Sequence, residues 1–407
     1  MWHLTRWNGL FLGTYLITHL GGRPIDNQFA GVAMFTPMLL GAYVASKMRD
    51  DVDPRHLVLI TEIALLPLTA VMIVLVSTGA VQIWMVYPFE LAYGFGGMVN
   101  MTAQRELLIR HAGPARSHRA LSAEMAGLAS ATMLGPLLGG VMIGAFGLGA
   151  AFAFPAVLLG CSAVILWHAT RRRPAGARTA AGTDPPSTAG RGRMDWQLLR
   201  RSRALTVVLA VTVIGNLCYF AFIPLVPVIS KSLGAGAAMA GVIGSAAGTV
   251  QLVSAVGLTV WPARRPAAAY AFGVALCLCC LAVLSYAPAV AVALLALGVA
   301  GIGQALFSTM QATLSVAAVG PHERSAALGL LSTTIGVALP TGMVILGVTS
   351  SLLGARLAML LSALVGLAAL ATTLLGNAQQ MRAPKTSSGA VRVGREGDPV
   401  ATQPELG

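Results

Sequence analysis

Glu90 is the residue of this chain best placed to do chemistry. It lies near the middle of an apolar stretch, residues 81–103, in a sequence where only 10% of residues carry charge. An ionised carboxylate at such depth costs about 3 kcal/mol or more unless it is paired, wetted or protonated. A carboxyl that stays neutral while dry and ionises when water arrives can carry a proton, or serve as counter-ion to a cationic ligand. The plainer alternative is a permanently protonated side chain bonded to a neighbouring helix. Tyr87 and Asn100 stand three residues before and ten after Glu90, and Tyr93 stands three after. At 100° per residue these fall roughly on one face, a polar and aromatic stripe suited to a cavity wall. Two further acids, Glu62 and Glu124, sit near the ends of apolar stretches and are expected to form interface ion pairs.

The second half of the chain has no acid inside its apolar stretches. Its polar residues there include Asn216, Tyr219, Gln304 and Gln311, the two glutamines seven apart and so on one helix face. Neutral amides facing one carboxylate suit a mostly apolar small molecule bearing hydrogen-bonding groups and one positive charge. Polar contacts between helices are the bland alternative for each. Gly135-Pro136-Leu-Leu-Gly139-Gly140 supplies a missing backbone donor and a side-chain-free stripe, so another helix can approach closely there. That stretch is either a conformational hinge or ordinary small-residue packing.

Other chemistries are disfavoured. Residues 94–97 and 301–303 are glycine-rich but lack a following Lys-Ser/Thr, so no phosphate loop is expected. The five cysteines all lie within apolar stretches, where a thiol packs as a small hydrophobe. No metal-ligand cluster and no nucleophile–base pair is visible, so neither a cofactor, a metal nor an enzyme activity is expected.

The elements that must position these residues follow from composition. Apolar residues make up 56% of the chain and the mean hydropathy is +0.76. A hydrocarbon layer takes about 20 helical residues to cross, and backbone within it must satisfy its own hydrogen bonds. Twelve stretches qualify: 2–20, 28–47, 57–77, 81–103, 121–146 and 148–169, then 205–229, 236–261, 267–285, 288–316, 325–352 and 356–375. The fold class is therefore an all-α, multi-pass membrane protein with the lipid bilayer as its main partner. With both termini cytoplasmic, only Arg23, Lys231 and Arg356 of the 27 basic residues fall on the outer side. That asymmetry is the positive-inside pattern. The net charge of +13 is then a topological effect and not a nucleic-acid footprint.

The chain divides into residues 1–170, a basic linker 171–204, residues 205–376 and a polar tail 377–407. Linker and tail compositions suggest flexible cytoplasmic segments, with 195–201 able to lie along the interface as a short amphipathic helix. The halves echo each other: Ala112-Gly-Pro-Ala-Arg-Ser follows the fourth stretch and Val319-Gly-Pro-His-Glu-Arg-Ser follows the tenth. Such an echo suggests parallel repeats with a ligand site between them.

In these features the chain resembles the major facilitator superfamily. That resemblance implies two six-helix bundles, a secondary transporter and a monomer. The superfamily places a Gly-x-x-x-Asp-Arg-x-x-Arg-Arg type motif after the second span. Here Gly41, Asp50 and Arg55 can be laid onto it as a cytoplasmic latch, while Asp51 and Pro54 depart from it. Gly135–Gly140 looks like the Gly-Pro-x-x-Gly-Gly element of the superfamily's drug exporters and antiporters. The resemblance thus implies export of a small amphipathic drug, siderophore or natural product across the inner membrane, with protons as the exchanged ion and Glu90 as the coupling group. An importer of the same fold, or a transport-inactive sensor or partner protein, is the alternative.

Overall fold

The computed structural model describes residues 1–40, 53–113, 117–171, 197–261 and 263–377, and all regular elements among them are helical. Helix α1 (Trp2–His19) turns through Gly21, whose φ of +80° favours glycine, into α2 (Pro24–Phe35). Pro24 occupies the first turn, where its missing N–H costs nothing, and the Arg23 backbone N–H donates to Asp26 at 2.7 Å. A 3-10 turn, Thr36–Leu40, extends α2. Helix α3 (Pro54–Ser77) starts behind Asp53, whose carboxylate accepts the Arg55 backbone N–H at 3.0 Å. Helix α4 is Ile83–Ala112.

A 55-residue run, Ser117–Arg171, follows. At 1.5 Å per residue it is far longer than one hydrocarbon layer of about 30 Å. Gly147, with φ +83° and ψ 169°, is its one non-helical residue. The arm before Gly147 is α5 and the arm after it α6. Then come α7 (Arg203–Ser232), α8 (Ala237–Val260), α9 (Pro266–Ser285), α10 (Val290–Ala317), α11 (Arg324–Leu353) and α12 (Ala355–Gly376).

Eight runs among the described residues are long and apolar enough to cross a membrane: α3, α5–α6 taken together, and α7 to α12. The twelve stretches read from the sequence therefore do not all reappear as apolar helices. Helix α2 stops after 12 residues, α1 carries Arg6 and Asn8, and α4 carries Glu90 and several charged residues in its last turns. Residues 197–201 form a short helix, with Leu198 buried against α7 and α11.

One apolar cluster fills the first half, with Trp2, Phe11, Phe89, Tyr93 and Phe152 among its members. A second fills the later half and takes in Leu10, Met34 and Phe35 from α1 and α2. Helix α5 packs against α1 on one side and α8 on the other, and α2 packs against α11. Lipid is as apolar as leucine, so these contacts depend on close fit rather than on water exclusion.

Candidate functional site

Glu90 is fully buried, and neither of its carboxylate oxygens has a hydrogen-bond partner. It presses on α1 at Gly13, where a Cβ would stand 3.3 Å from Glu90 Cδ and 3.1 Å from Val86 Cγ1. Two turns away on the same pair of helices, the relation is reversed. Arg6 of α1, 4% exposed, crosses α4 at Gly97, whose Cβ would stand 3.0 Å from Arg6 Nε. The guanidinium donates weakly to Met38 Sδ at 3.6 Å and Met101 Sδ at 3.8 Å, and lies 5.3 Å from the centre of the Phe35 ring. Seven residues separate Arg6 from Gly13 and Glu90 from Gly97, so the two anchoring contacts lie about 10 Å apart along the seam. The charges act on each other through space without forming an ion pair. Charge counting groups Arg6 with the cytoplasmic residues; in the structure its side chain is buried and its charge acts on Glu90.

The stripe expected around Glu90 fans out over three neighbours. Tyr87 turns toward α2, with its hydroxyl 3.5 Å from Asp26 and its ring edge-on to Phe29. Tyr93 turns toward α3, hydrogen-bonded to Thr69 at 2.8 Å and stacked on Trp2. Asn100, fully buried, turns to the same side and approaches Glu62. Steps of 100° spread such a stripe through more than a third of the helix circumference. Tyr93 and Asn100 therefore pack inside the first half and do not line one wall with Tyr87. Glu62 is not an interface residue either: it is fully buried and accepts from Ser162 of α6 at 2.9 Å.

In the second half, Gln304 donates to the Tyr219 hydroxyl at 2.8 Å, and Gln311 donates to Thr212 at 3.4 Å. Asn216 donates back to the Thr212 carbonyl at 2.9 Å. These groups join α7 to α10 within their own half. No hydrogen bond or ring contact links them to Glu90, Tyr93 or Asn100 among the described residues.

The Gly-Pro-Leu-Leu-Gly-Gly stretch uses two faces of α5. Gly135 and Gly139 lie against α1: Asn8 donates to the Gly135 carbonyl at 2.9 Å, and a Cβ on Gly139 would stand 2.7 Å from the Phe11 ring. Pro136 and Gly140 lie against α8, where a Cβ on Gly140 would stand 2.6 Å from Gly241 Cα and from the Ala237 carbonyl oxygen. This crossing joins the two halves at the end that carries the 20–23 and 233–236 turns, here termed the distal end. At the opposite end, a methyl group on Gly127 of α5, Gly257 of α8 or Gly329 of α11 would meet no atom of the described residues within 4 Å.

A second distal contact was not foreseen from the sequence. Helix α7 is broken into a π turn, Gly215–Tyr219, and a 3-10 turn, Phe220–Leu225. In a 3-10 turn the carbonyls of Ala221 and Pro224 would need N–H groups from residues 224 and 227, and both are prolines. Side chains of α2 fill the gap: Gln28 donates to Ala221 O at 3.0 Å and Asn27 to Pro224 O at 3.1 Å. Lys231 adds a bond to the Thr18 carbonyl near the end of α1 at 3.0 Å. The Pro224-x-x-Pro227 spacing was the available signal. Of the expected latch, Gly41 and Asp50 lie outside the described residues, and Arg55 is half-buried at the start of α3.

A family model described as Major Facilitator Superfamily matches residues 4–315, well over half of the chain. The chain belongs to the Major Facilitator Superfamily. It is accordingly a multi-pass membrane protein with a transporter fold. No curated protein matches it in sequence. Among solved structures, this superfamily member is similar to a bacterial homologue of the human lysosomal transporter Spinster, at 14% identity and a TM-score of 0.71 over 93% of this chain and 96% of the other. It is also similar to the nucleoside transporter NupG, at 14% identity and 0.69, over 94% and 97%. A POT family transporter in complex with 5-aminolevulinic acid gives 11% identity and 0.68, over 94% and 96%. At these identities the likeness establishes the fold and no substrate.

Proposed function

We propose that this superfamily member is a secondary transporter that exports a small amphipathic organic molecule (a drug, siderophore or natural product) across the bacterial inner membrane in exchange for protons. Residues 1–170 and 205–376 act as two six-helix bundles, with the linker 171–204, the tail 377–407 and both termini in the cytoplasm. The distal end faces outward. The bundles rock about the α5–α8 and α2–α11 crossings, the loop holding Gly41, Asp50 and Arg55 latches the inner side, and the protein works as a monomer.

The observation that carries the reading is Glu90, a buried carboxyl without a hydrogen-bond partner, facing a buried arginine on the adjoining helix. A buried charge without a close partner is unfavourable in a static protein and is the usual mark of an ion or substrate path. Export, rather than import, is supported by the likeness of Gly135–Gly140 to the exporter element. The test is Glu90→Gln, reconstituted in proteoliposomes with a fluorescent amphipathic cation as probe. Efflux driven by a pH gradient is expected to disappear while the protein inserts and migrates as the parent does. Unchanged pH-driven efflux in that variant would remove Glu90 from the coupling role.

A further inference from the structure

We propose that Glu62 is a second proton-carrying group, held with Asn100 and Ser162 between α3, α4 and α6 and separate from Glu90. It extends the proton-exchange reading above. The three residues come from three helices and meet inside the first half, away from the crossings that join the halves. Ser162 satisfies one carboxyl oxygen, Oε1, at 2.9 Å. The other, Oε2, is buried with no partner. Beside it stands the Asn100 side chain, fully buried, whose amide presents both a donor and an acceptor to the acid.

Asn100 can partner either form of the acid. An ionised carboxylate only accepts, whereas a protonated one has an O–H to give. The Asn100 N–H serves the ionised carboxylate and its Oδ1 accepts from Oε2–H once the proton arrives, while Ser162 keeps its bond to Oε1. Loading forms the Oε2–H bond and breaks an O–H bond of hydronium; unloading returns the proton to water. Helices α4 and α6 face Glu62 with the neutral Asn100 and Ser162, and the charged group acting on it is the Met1 amino group at the head of α1.

The surrounding seam gives this group a direction. Thr69 follows Glu62 by seven residues on α3, and Tyr93 precedes Asn100 by seven on α4. Thr69 and Tyr93 are hydrogen-bonded at 2.8 Å, so the α3–α4 seam carries two polar rungs about 10 Å apart. Glu90 lies one helical turn beyond the second rung. Two buried carboxyls in the first half, Glu90 against α1 and Glu62 between α3, α4 and α6, give a carrier that moves two protons per cycle where Glu90 alone would move one.

The test needs no substrate. Infrared difference spectra of the purified full-length protein in detergent, recorded across a pH titration in H2O and D2O, report protonated carboxyls through their carbonyl stretch. The wild type is expected to show two such bands that vanish as pH rises. Glu90→Gln should remove one and Glu62→Gln the other, whereas Glu62→Asp should retain it. Ser162→Ala provides a milder second variant and should displace the Glu62 band by removing its hydrogen bond. A Glu62→Gln spectrum identical to wild type, or an unmoved band in Ser162→Ala, would overturn the proposal. Displacement of the band by sodium chloride but not choline chloride would also overturn it, making the site a sodium site. Failure of the Glu90 reading is distinct, because it would appear as no band lost in Glu90→Gln.

Discussion

Replacing Gly140 with alanine adds one methyl group at a close backbone contact between the two halves. Its Cβ would stand 2.6 Å from the Ala237 carbonyl oxygen and from Gly241 Cα, and 2.8 Å from Gly241 N. Ordinary carbon contacts lie near 3.5–4.0 Å, so α5 and α8 must part by about 1 Å. The obstructing atoms are backbone and cannot swing aside. Overpacking of this kind costs roughly 1–3 kcal/mol, and it applies only while the distal end is sealed. At about 1.4 kcal/mol per tenfold change, the sealed population should fall roughly five- to a hundred-fold relative to the open one. Ser230, 1% exposed near the distal end of α7, offers a conservative cysteine position, Ser230→Cys. Its labelling by a membrane-impermeant maleimide added outside should accelerate by a comparable factor in Gly140→Ala. Gly139→Ala is the control. Its methyl would meet the Phe11 ring at 2.7 Å and Asn8 Nδ2 at 3.0 Å, side chains of the same half that can adjust, so labelling should not change. Equal rates in Gly140→Ala and the parent, or acceleration by Gly139→Ala instead, would refute the idea that this crossing sets the equilibrium.

The remaining predictions concern buried charge and the distal latch. Arg6→Gln and Glu90→Gln each remove one of two buried groups that act on each other through space, so their effects on stability should fail to add by about 0.5–3 kcal/mol; thermal unfolding of the two single variants and the double variant in detergent reads the coupling. Lys231→Met and Asn27→Val each remove a hydrogen bond across the halves, worth about 1–3 kcal/mol at a buried carbonyl, and each should speed maleimide labelling of Ser230→Cys.

Hydropathy made the fold class legible because a lipid solvent imposes one demand, apolar helices, on every span. Glu90 was legible for the same reason: a charge stands out against an apolar run. Arg6 was not, since a basic residue near a chain end reads equally well as a topology marker. Its role depends on Gly97, whose missing side chain makes room across the seam. Glu62 was misjudged because depth counted from a helix end measures distance to the interface, not enclosure by α4 and α6. The stripe on α4 was over-read as one wall, when Tyr87, Tyr93 and Asn100 address different neighbours. Asn27 and Gln28 were invisible as functional residues, because their acceptors are main-chain carbonyls bared only where Pro224 and Pro227 interrupt α7.

That interruption has a thermodynamic corollary for alternation. When α2 withdraws, the two carbonyls cannot fall back on their own helix, since proline has no hydrogen to offer. Water must reach them, or each stays bare at a cost of about 1–3 kcal/mol. Unsealing the distal cleft is therefore tied to hydrating it, and a ligand bearing two hydrogen-bond donors could take the place of that water. Solutes that lower water activity, or dehydrating detergents, should hold the distal side shut independently of any proton gradient.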